Sequence, residues 1–198
     1  WTQLYTQSCW DIEVHPALPD IVYVLKTNLV AGRCEFFKSL NSGATFSIRE
    51  NGWYNSTDAA RRDDGARMTV TPADPNVVYV VLTGNSKPGD NGFIGVFRSN
   101  NAGESWTLPN PPVGGPWTAS HPNLMTLNNT NTLYQGYYNL SIAASHTNAN
   151  QVLIGGLNLW KTDNGAQTFT ALGGYQGSLS WIHPDQQEIK ISGNDFWV

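Results

Sequence analysis

The segment 58–64 holds the densest group of charged side chains in the sequence, with two arginines beside three carboxylates. A guanidinium group binds a carboxylate through two parallel hydrogen bonds, so these arginines could hold an acidic ligand. The alternative is a solvent-exposed loop of weak ion pairs, which we favour because such pairs are common on protein surfaces. The candidate binding-loop residues are Asp58, Arg61, Arg62, Asp63 and Asp64.

Carboxyl groups could also act in glycoside hydrolysis, which needs two of them roughly 5–10 Å apart. Their spacing along this sequence pairs no two of them, and no serine stands in a Gly-x-Ser-x-Gly motif. The residues alone therefore predict no catalytic group. The acids near predicted loops or strand ends are Asp11, Glu13, Asp63, Asp64, Asp185 and Asp195.

Histidine and cysteine show no metal-binding pattern, and we predict neither a metal nor a cofactor. His15, His146 and His183 each lie where a predicted first strand meets its turn, and this repeated position favours a structural role. Cys9 and Cys34 are too few and too far apart for a Cys-x-x-Cys zinc site. In an exported protein they could form a disulfide worth roughly 3 kcal/mol. Two buried reduced thiols are equally compatible with the sequence.

Several aromatic side chains could form a sugar-binding surface, since flat rings stack on the faces of sugars. The alternative, which we favour for most of them, is packing between neighbouring sheets. These residues are Trp10, Trp53, Trp117, Tyr137, Tyr138 and Trp181.

All these residues depend on one repeated unit for their positions. The segments 37–46, 97–106 and 160–169 each run aromatic, basic, hydroxyl, turn, hydroxyl, aromatic. Short polar side chains and a glycine suit a tight turn between two strands. The glycine of the third copy comes one place earlier, so we expect its turn to differ. The predicted turn residues are Ser39, Asn41, Gly43, Phe46, Ser99, Asn101, Gly103, Trp106, Thr162, Asp163, Gly165 and Phe169.

Strand patterns surround each unit and predict an all-β fold built from four-stranded antiparallel meanders. The run 21–25 is β-branched or aromatic throughout and should be a buried central strand, as should 77–82. Residues 178–183 should open a fourth meander, in which Trp197 would align with Phe37. Repeats of this kind predict a β-propeller with about three and a half blades. The predicted blades cover residues 9–49, 66–109, 132–173 and 177–198.

The repeated turns resemble the Asp-box (BNR) repeat, whose pattern is Ser-x-Asp-x-Gly-x-Thr-Trp. The strings 70–79 and 154–161 also resemble sortilin-like (VPS10-type) propellers and the large propeller proteins that Bacteroidetes export by type IX secretion. This resemblance implies a secreted or cell-surface protein whose box residues stabilise turns. The sequence departs from the pattern because Asn replaces Asp at Asn41 and Asn101, and only Asp163 keeps the acid. The string 183–187 also has glutamine where relatives often have a second histidine.

Composition excludes two classes of partner. The net charge is −4, only 13% of residues are charged and no basic stripe is present, so we expect no nucleic acid. No stretch approaches the ~20 apolar residues of a membrane span. An open stack of blades would expose sheet faces and edges. We therefore expect further blades from a longer chain or from a partner protein.

Three functions remain open at this point. The first is a non-catalytic propeller that binds protein or glycan through loops at one end. The second is a polysaccharide-active glycoside hydrolase of the xyloglucanase or sialidase kind, which the fold resemblance implies. A sialidase would need three arginines around one carboxylate, and the sequence shows no motif for them. The third is a structural spacer in a surface adhesin.

Overall fold

The computed structural model describes residues 8–28, 32–54, 63–84, 92–126, 135–174, 180–193 and 195–198. Within these ranges the chain is all-β, as predicted, and contains no segment that could span a membrane as a helix. The strands are β1 (Cys9–Val14), β2 (Val22–Asn28), β3 (Arg33–Ser39), β4 (Ser47–Ile48), β5 (Asp63–Val70), β6 (Val78–Gly84), β7 (Phe93–Ser99), β8 (Ser141–Ala144), β9 (Val152–Gly155), β10 (Asn158–Thr162), β11 (Thr170–Gly174), β12 (Ser180–Trp181), β13 (Lys190–Ser192) and β14 (Asp195–Trp197).

The strands form successive sheets in chain order. The first sheet is β1-β2-β3-β4, the second is β5-β6-β7, and the third is β8-β9-β10-β11 with β12 parallel to β11. An antiparallel bridge between Arg98 and Thr107 extends the second sheet outward. The central strand β6 is buried along its whole length, as its β-branched and aromatic sequence predicts.

First strands contact one another from sheet to sheet, because β1 contacts β5, β5 contacts β8 and β8 contacts β13. These four strands are called the inner strands. Apolar clusters fill the spaces between the sheets. Side chains of one strand serve both spaces, since successive residues point to opposite faces: Phe97 packs toward the first sheet and Val96 toward the third. The sheets therefore stack by their faces around the inner strands.

Aromatic rings dominate the first of these spaces. Trp53 lies with its ring centre 5.9 Å from Phe36, 5.8 Å from Phe97 and 4.9 Å from Trp106. Its indole nitrogen donates to the carbonyl of Cys34 at 2.9 Å. Trp53 thus packs between sheets. Of the other candidate aromatics, Trp10 and Trp117 also pack against these clusters, whereas Tyr137, Tyr138 and Trp181 are exposed.

The first two box turns share one hydrogen-bond pattern. Ser39 Oγ accepts the backbone amides of Asn41 and Gly43 at 3.2 and 2.9 Å, and Asn41 Oδ1 accepts the amide of Thr45 at 2.9 Å. The second turn repeats these bonds among Ser99, Asn101, Gly103 and Ser105. Gly103 adopts a φ of 81°, in the left-handed region that favours glycine. The polar box residues therefore close turns.

The third turn corrects the sequence alignment at Asp163 and Gly165. Thr162 Oγ1 accepts the amides of Asn164 and Ala166, and Asn164 Oδ1 accepts the amide of Thr168 at 3.0 Å. Asn164 therefore has the role assigned to Asp163, and Ala166, at a φ of 70°, has the role assigned to Gly165. Asp163 instead pairs with Lys161 at 2.9 Å and accepts a hydrogen bond from Gln151. All three turns are thus built on asparagine and share one hydrogen-bond pattern, so the expectation that the third turn would differ was wrong.

Substitutions in this turn should separate the two assignments. Asn164→Ala is expected to lower the free energy of unfolding by about 1–2 kcal/mol, because it removes an acceptor for a backbone amide and two side-chain bonds. Asp163→Ala should cost less than about 0.5 kcal/mol, because this side chain is exposed and its ion pair is solvated. Urea denaturation of both variants measures the difference, and equal losses would contradict the corrected alignment.

The fourth repeat also differs from the prediction. Residues 180–181 form a strand on the edge of the third sheet, and the amide of Ile182 continues along β11 by donating to Gly174 at 3.2 Å. The inner strand of the last sheet is β13, which pairs with β14. Trp197 therefore lies on the second strand of that hairpin and does not align with Phe37. The four blade boundaries stay predictions.

The two cysteines are free thiols in this structure, and the disulfide considered from the sequence is not formed. Cys9 is exposed on β1 and Cys34 is buried on β3, with β2 hydrogen-bonded between them. Strands lie about 4.8 Å apart, so two spacings exceed the Cα separation of roughly 7 Å that a bridge tolerates. A bridge would require the strand order to change.

Candidate functional site

The inner strands line a cleft with two lobes. One lobe, of about 550 Å³, lies at the C-terminal ends of β1, β5 and β8. Its lining includes Val14, Val70 and His146. The other lobe, of about 430 Å³, lies toward the starts of these strands and is called the polar lobe. Glu13 borders both lobes. The polar lobe is lined by Asp11, Glu13, Arg67, Met68, Ser141, Ile142, Gln187, Glu188 and Ile189.

Asp11 and Glu13 share one face of β1 because side chains of a strand alternate between two faces. They stand opposite Leu25 and Tyr23 in the register with β2. Two residues of strand rise about 7 Å, which sets the spacing of the two backbone positions within the range of roughly 5–10 Å considered for a pair of acids in glycoside hydrolysis. Ile12, between them in sequence, points the other way and is 59% exposed. The structure thus brings together two of the acids considered from the sequence.

The two carboxyls have different surroundings. Asp11 accepts the backbone amides of Met68 and Ile12, both at 2.9 Å. Burial raises the pKa of Asp11, although these bonds and the Arg67 charge oppose the shift. Burial, and then the charge of Asp11, raise the pKa of Glu13 to about 7. At neutral pH Glu13 can therefore carry a proton beside an acceptor that two amides hold in place.

Cations near these carboxyls have other partners. Arg67 Nη1 donates to the carbonyls of Trp10 and Ala66, both at 3.0 Å. Lys190 pairs with Glu188 at 3.2 Å. Arg67 is thus held by backbone acceptors, and its position is fixed by the junction between β1 and β5.

Two exposed tyrosines lie just before the inner strand β8. Tyr137 and Tyr138 are 62% and 58% exposed. The buried residue Asn139 follows them and donates to Gln135 at 2.8 Å and to Asp185 at 2.6 Å. These bonds fix the tyrosine-bearing turn beside the segment that continues into Gln187 and Glu188 of the polar lobe.

The remaining residues considered from the sequence do not join this pair. Asp58, Arg61 and Arg62 lie outside the described residues, and Asp63 and Asp64 begin β5, with side chains outside the description. Asp185 binds Asn139, and Asp195 lies on β14. Sequence reasoning missed Arg67, Ser141, Gln187 and Glu188. The pattern in the sequence that could have indicated this site is the spacing of two acids at residues 11 and 13, which places them on one face of a strand.

The histidines have separate surroundings. His15 is buried, and its Nδ1 accepts the amides of Ala17 and Leu18 at 3.1 Å, closing the turn after β1. Burial, with the nearby charge of Lys38, lowers its pKa, which suits this acceptor role. Within the described ranges, no three His, Cys, Asp or Glu side chains are grouped so that they could hold a metal ion.

Glu13→Gln is expected to make stability less dependent on pH. The pKa of Glu13 rises on folding from 4.5 to about 7, so its contribution is present below pH 4.5 and is lost as pH rises through 7. Allowing for partial exposure, this loss is about 2 kcal/mol. Urea denaturation at pH 4 and pH 8 should show the variant gaining that amount relative to the parent at the higher pH. Glu188→Gln changes an exposed acid and is the control. If the free energies of unfolding of Glu13→Gln and the parent differed equally at pH 4 and pH 8, the prediction would be contradicted.

Comparisons with known proteins give structural neighbours only. No family model matches the sequence, and no curated protein matches it significantly. A GH74 xyloglucanase from Xanthomonas campestris has 17% identity and a TM-score of 0.52 over 83% of this chain. A GH74 enzyme from Niastella koreensis has 18% identity and a TM-score of 0.55 over 93% of it. An ancestral GH74 enzyme has 16% identity and a TM-score of 0.51 over 87% of it.

These neighbours are β-propeller-type structures, and the face-to-face sheets described above match them. The chain has a β-propeller-type fold. It spans 23%, 24% and 19% of the three neighbours' lengths. Identities this low show the fold alone, so the prediction of a propeller is confirmed at that level. The polar lobe lies among the inner strands of this propeller-type fold.

Proposed function

We propose that this chain belongs to a secreted or cell-surface propeller that binds glycan in the polar lobe. The observation that carries the proposal is a cleft of about 430 Å³ that combines Asp11, Glu13, Ser141 and Gln187. Carboxylate and amide oxygens accept hydrogen bonds from sugar hydroxyls, and serine can both donate and accept. A protein ligand at the same end is the less favoured form of the proposal.

The exposed tyrosines support a glycan over a protein. Tyr137 and Tyr138 present flat, amphipathic rings to solvent on a turn that is fixed by Asn139. Ligand sites commonly combine such apolar surfaces with a few polar groups that orient the ligand. The likeness to GH74 enzymes supports a carbohydrate ligand by fold analogy.

Glycoside hydrolysis is the second candidate, and the Asp11–Glu13 pair favours it. A protonated carboxyl can donate to a leaving-group oxygen while an ionised one acts as base or nucleophile. Glu13 has the raised pKa of a general acid, and Asp11 is held by two amides. In the inverting form, Glu13 gives its proton to the leaving-group oxygen while Asp11 takes a proton from the attacking water. In the retaining form, Asp11 displaces the protonated leaving group to form a glycosyl-enzyme, and a water deprotonated by Glu13 then hydrolyses it and restores both groups.

Isosteric variants distinguish binding, hydrolysis and a passive spacer. We would measure binding of xyloglucan oligosaccharides by calorimetry, after a glycan array, and would assay release of reducing ends. A binding module should lose about tenfold in affinity in Tyr137→Ala with Tyr138→Ala, and should release no product. A hydrolase should release product at least about 100-fold more slowly in Asp11→Asn or Glu13→Gln while binding persists.

Trp181→Ala serves as the control, because this exposed ring lies outside the polar lobe. A parent chain that neither binds glycan nor releases product would overturn both candidates and leave the spacer. Unchanged binding in the double tyrosine variant would show that these rings do not contact the glycan. Xyloglucan is chosen for calorimetry because it is the glycan class that the fold analogy suggests.

Further sheets, from a longer chain or from a partner protein, are part of the proposal. On the outer face of the first sheet, Ile12, Val24, Phe37 and Ile48 stand in one row across the four strands. The row ends at Ile12 and Ile48, which are 59% and 38% exposed. In the spaces between the sheets of this chain, the corresponding rows are covered. Val24, within the row, is already buried, so an added sheet would cover the two exposed ends of the row.

A further inference from the structure

A basic side chain of the first box crosses to the turn of the next sheet. Lys38 Nζ lies 2.7 Å from Glu104 Oε1, and its side chain is only 4% exposed. Arg49 binds the other carboxylate oxygen of Glu104 at 2.7 Å. Burial alone would raise the pKa of Glu104, but Lys38 and Arg49 hold it below its ordinary value. The acid that follows Gly103 is therefore a partner for the preceding sheet.

The second box repeats this crossing. Arg98 has the position of Lys38 in the repeat, and its guanidinium lies 5.4 Å from the ring centre of Tyr79. Its Nη1 fills the space that a side chain at Gly165 would need, so it packs on the turn of the third sheet. At two successive junctions, the basic residue after the box aromatic contacts the turn of the following sheet.

Lys161 is the third residue at this position, and it has a different partner. Its Nζ pairs with Asp163 of its own turn at 2.9 Å, and the side chain is 28% exposed. On the same side of the third sheet, Ile191 and Phe196 of the hairpin β13-β14 pack against the apolar cluster that Ala143 of β8 and Leu153 of β9 form with Ile189. Among the described residues, no strand pairs with the outer edge of β14.

We propose that Lys161 and the outer edge of β14 form a docking surface for a β-hairpin that carries a carboxylate in its turn, at the position of Glu104. Both junctions within the chain place a basic residue against the next turn. The first junction supplies the carboxylate of the proposal, because the third turn has Gln167 at the position of Glu104. The strand edge offers backbone hydrogen bonds, and Lys161 offers the charge that an acidic turn would match. Trp197 on β14 is 66% exposed, and a docked hairpin would bury part of its ring.

A second copy of this chain is a poorer occupant. Its first-sheet turn has Ala44 at the position of Glu104, and the Glu104 of its second turn already pairs with Lys38 and Arg49. Neither Lys161 nor any residue of β14 lines the polar lobe, so the test of this surface is independent of glycan binding.

The test uses the full chain and a labelled synthetic peptide of residues 93–108, which contains the strand β7, the second turn and Glu104. Fluorescence anisotropy would measure its affinity for the parent chain and for Lys161→Gln, and the same peptide with Glu104→Gln completes a double-mutant cycle. We expect each single change to weaken binding about fivefold and the double change to add little. Lys26→Gln, which removes a charge from the first sheet, should leave the affinity unchanged.

Three results would overturn the proposal. They are no binding of the parent peptide to the parent chain, equal affinity of Lys161→Gln, and equal weakening by Lys26→Gln. Circular dichroism would verify that both lysine variants fold. Sedimentation of the chain alone would detect a second copy on the surface, and a dimer that excludes the peptide would replace the proposed occupant.

Discussion

Gly52→Ala is expected to lower the free energy of unfolding by about 3 kcal/mol or more. Gly52 adopts a φ of 73°, a left-handed conformation that costs an alanine about 1 kcal/mol. The added methyl group would also collide with the backbone carbonyl of Trp106, which cannot rotate away as a side chain would. The adjacent carbonyl of Asn51 accepts the amide of Trp106 at 2.8 Å, so relief of the collision would break this bond.

Gly193→Ala is the matched control for this variant. Gly193 has a similar φ of 61°, and nothing lies within 4 Å of the space that its methyl group would fill. It should therefore lose only the backbone cost of about 1 kcal/mol. Urea denaturation of the two variants separates the cost of the collision from the cost of the backbone conformation. Equal losses would show that the Trp106 carbonyl does not restrict the space beside Gly52.

The sequence predicts local structure well where residue types have direct backbone roles. Ser39, Asn41 and Gly43 are residue types that suit a turn. In the structure, the side chains of Ser39 and Asn41 accept backbone amides of this turn, including the amide of Gly43. The apolar run 77–82 predicts a buried central strand because only a strand covered on both faces can consist of such residues. β6 has this environment.

A shift of one residue in a turn, and the choice of the strand with which a short segment pairs, are harder to predict. In the third turn, the choice between Asp163 and Asn164 depends on which side chain reaches the amide of Thr168, and both residues suit a turn. Likewise, residues 180–182 could pair with either of two sheets, and the backbone bond from Ile182 to Gly174 decides for the third. Local residue type carries no information about this competition.

The polar lobe is predictable only in part. The alternation that places Asp11 and Glu13 on one face is local and can be read from the strand pattern. Arg67 and Glu188 come from other inner strands or segments far along the chain, and only the stacking of sheets brings them to the same cleft. The raised pKa of Glu13 depends on that burial and on the charge of Asp11.

Trp53→Ala should cost about 3–5 kcal/mol, the largest loss expected for a single side chain in this protein. The indole fills the space between the first two sheets, where its ring contacts Phe36, Phe97 and Trp106. Truncation would leave a cavity and also remove the donor to the Cys34 carbonyl. Trp181→Ala, at a ring that is 68% exposed, should cost less than about 0.5 kcal/mol.

Trp53→Phe refines the test, because it restores most of the ring and removes the indole donor. We expect a loss of about 1–2 kcal/mol, which assigns most of the effect of Trp53→Ala to packing. Urea denaturation monitored by far-ultraviolet circular dichroism avoids the change in tryptophan fluorescence. If Trp53→Ala were no more destabilising than Trp181→Ala, the aromatic cluster would not join the first two sheets. Stacking by their faces would then have to depend on the contacts between β1 and β5.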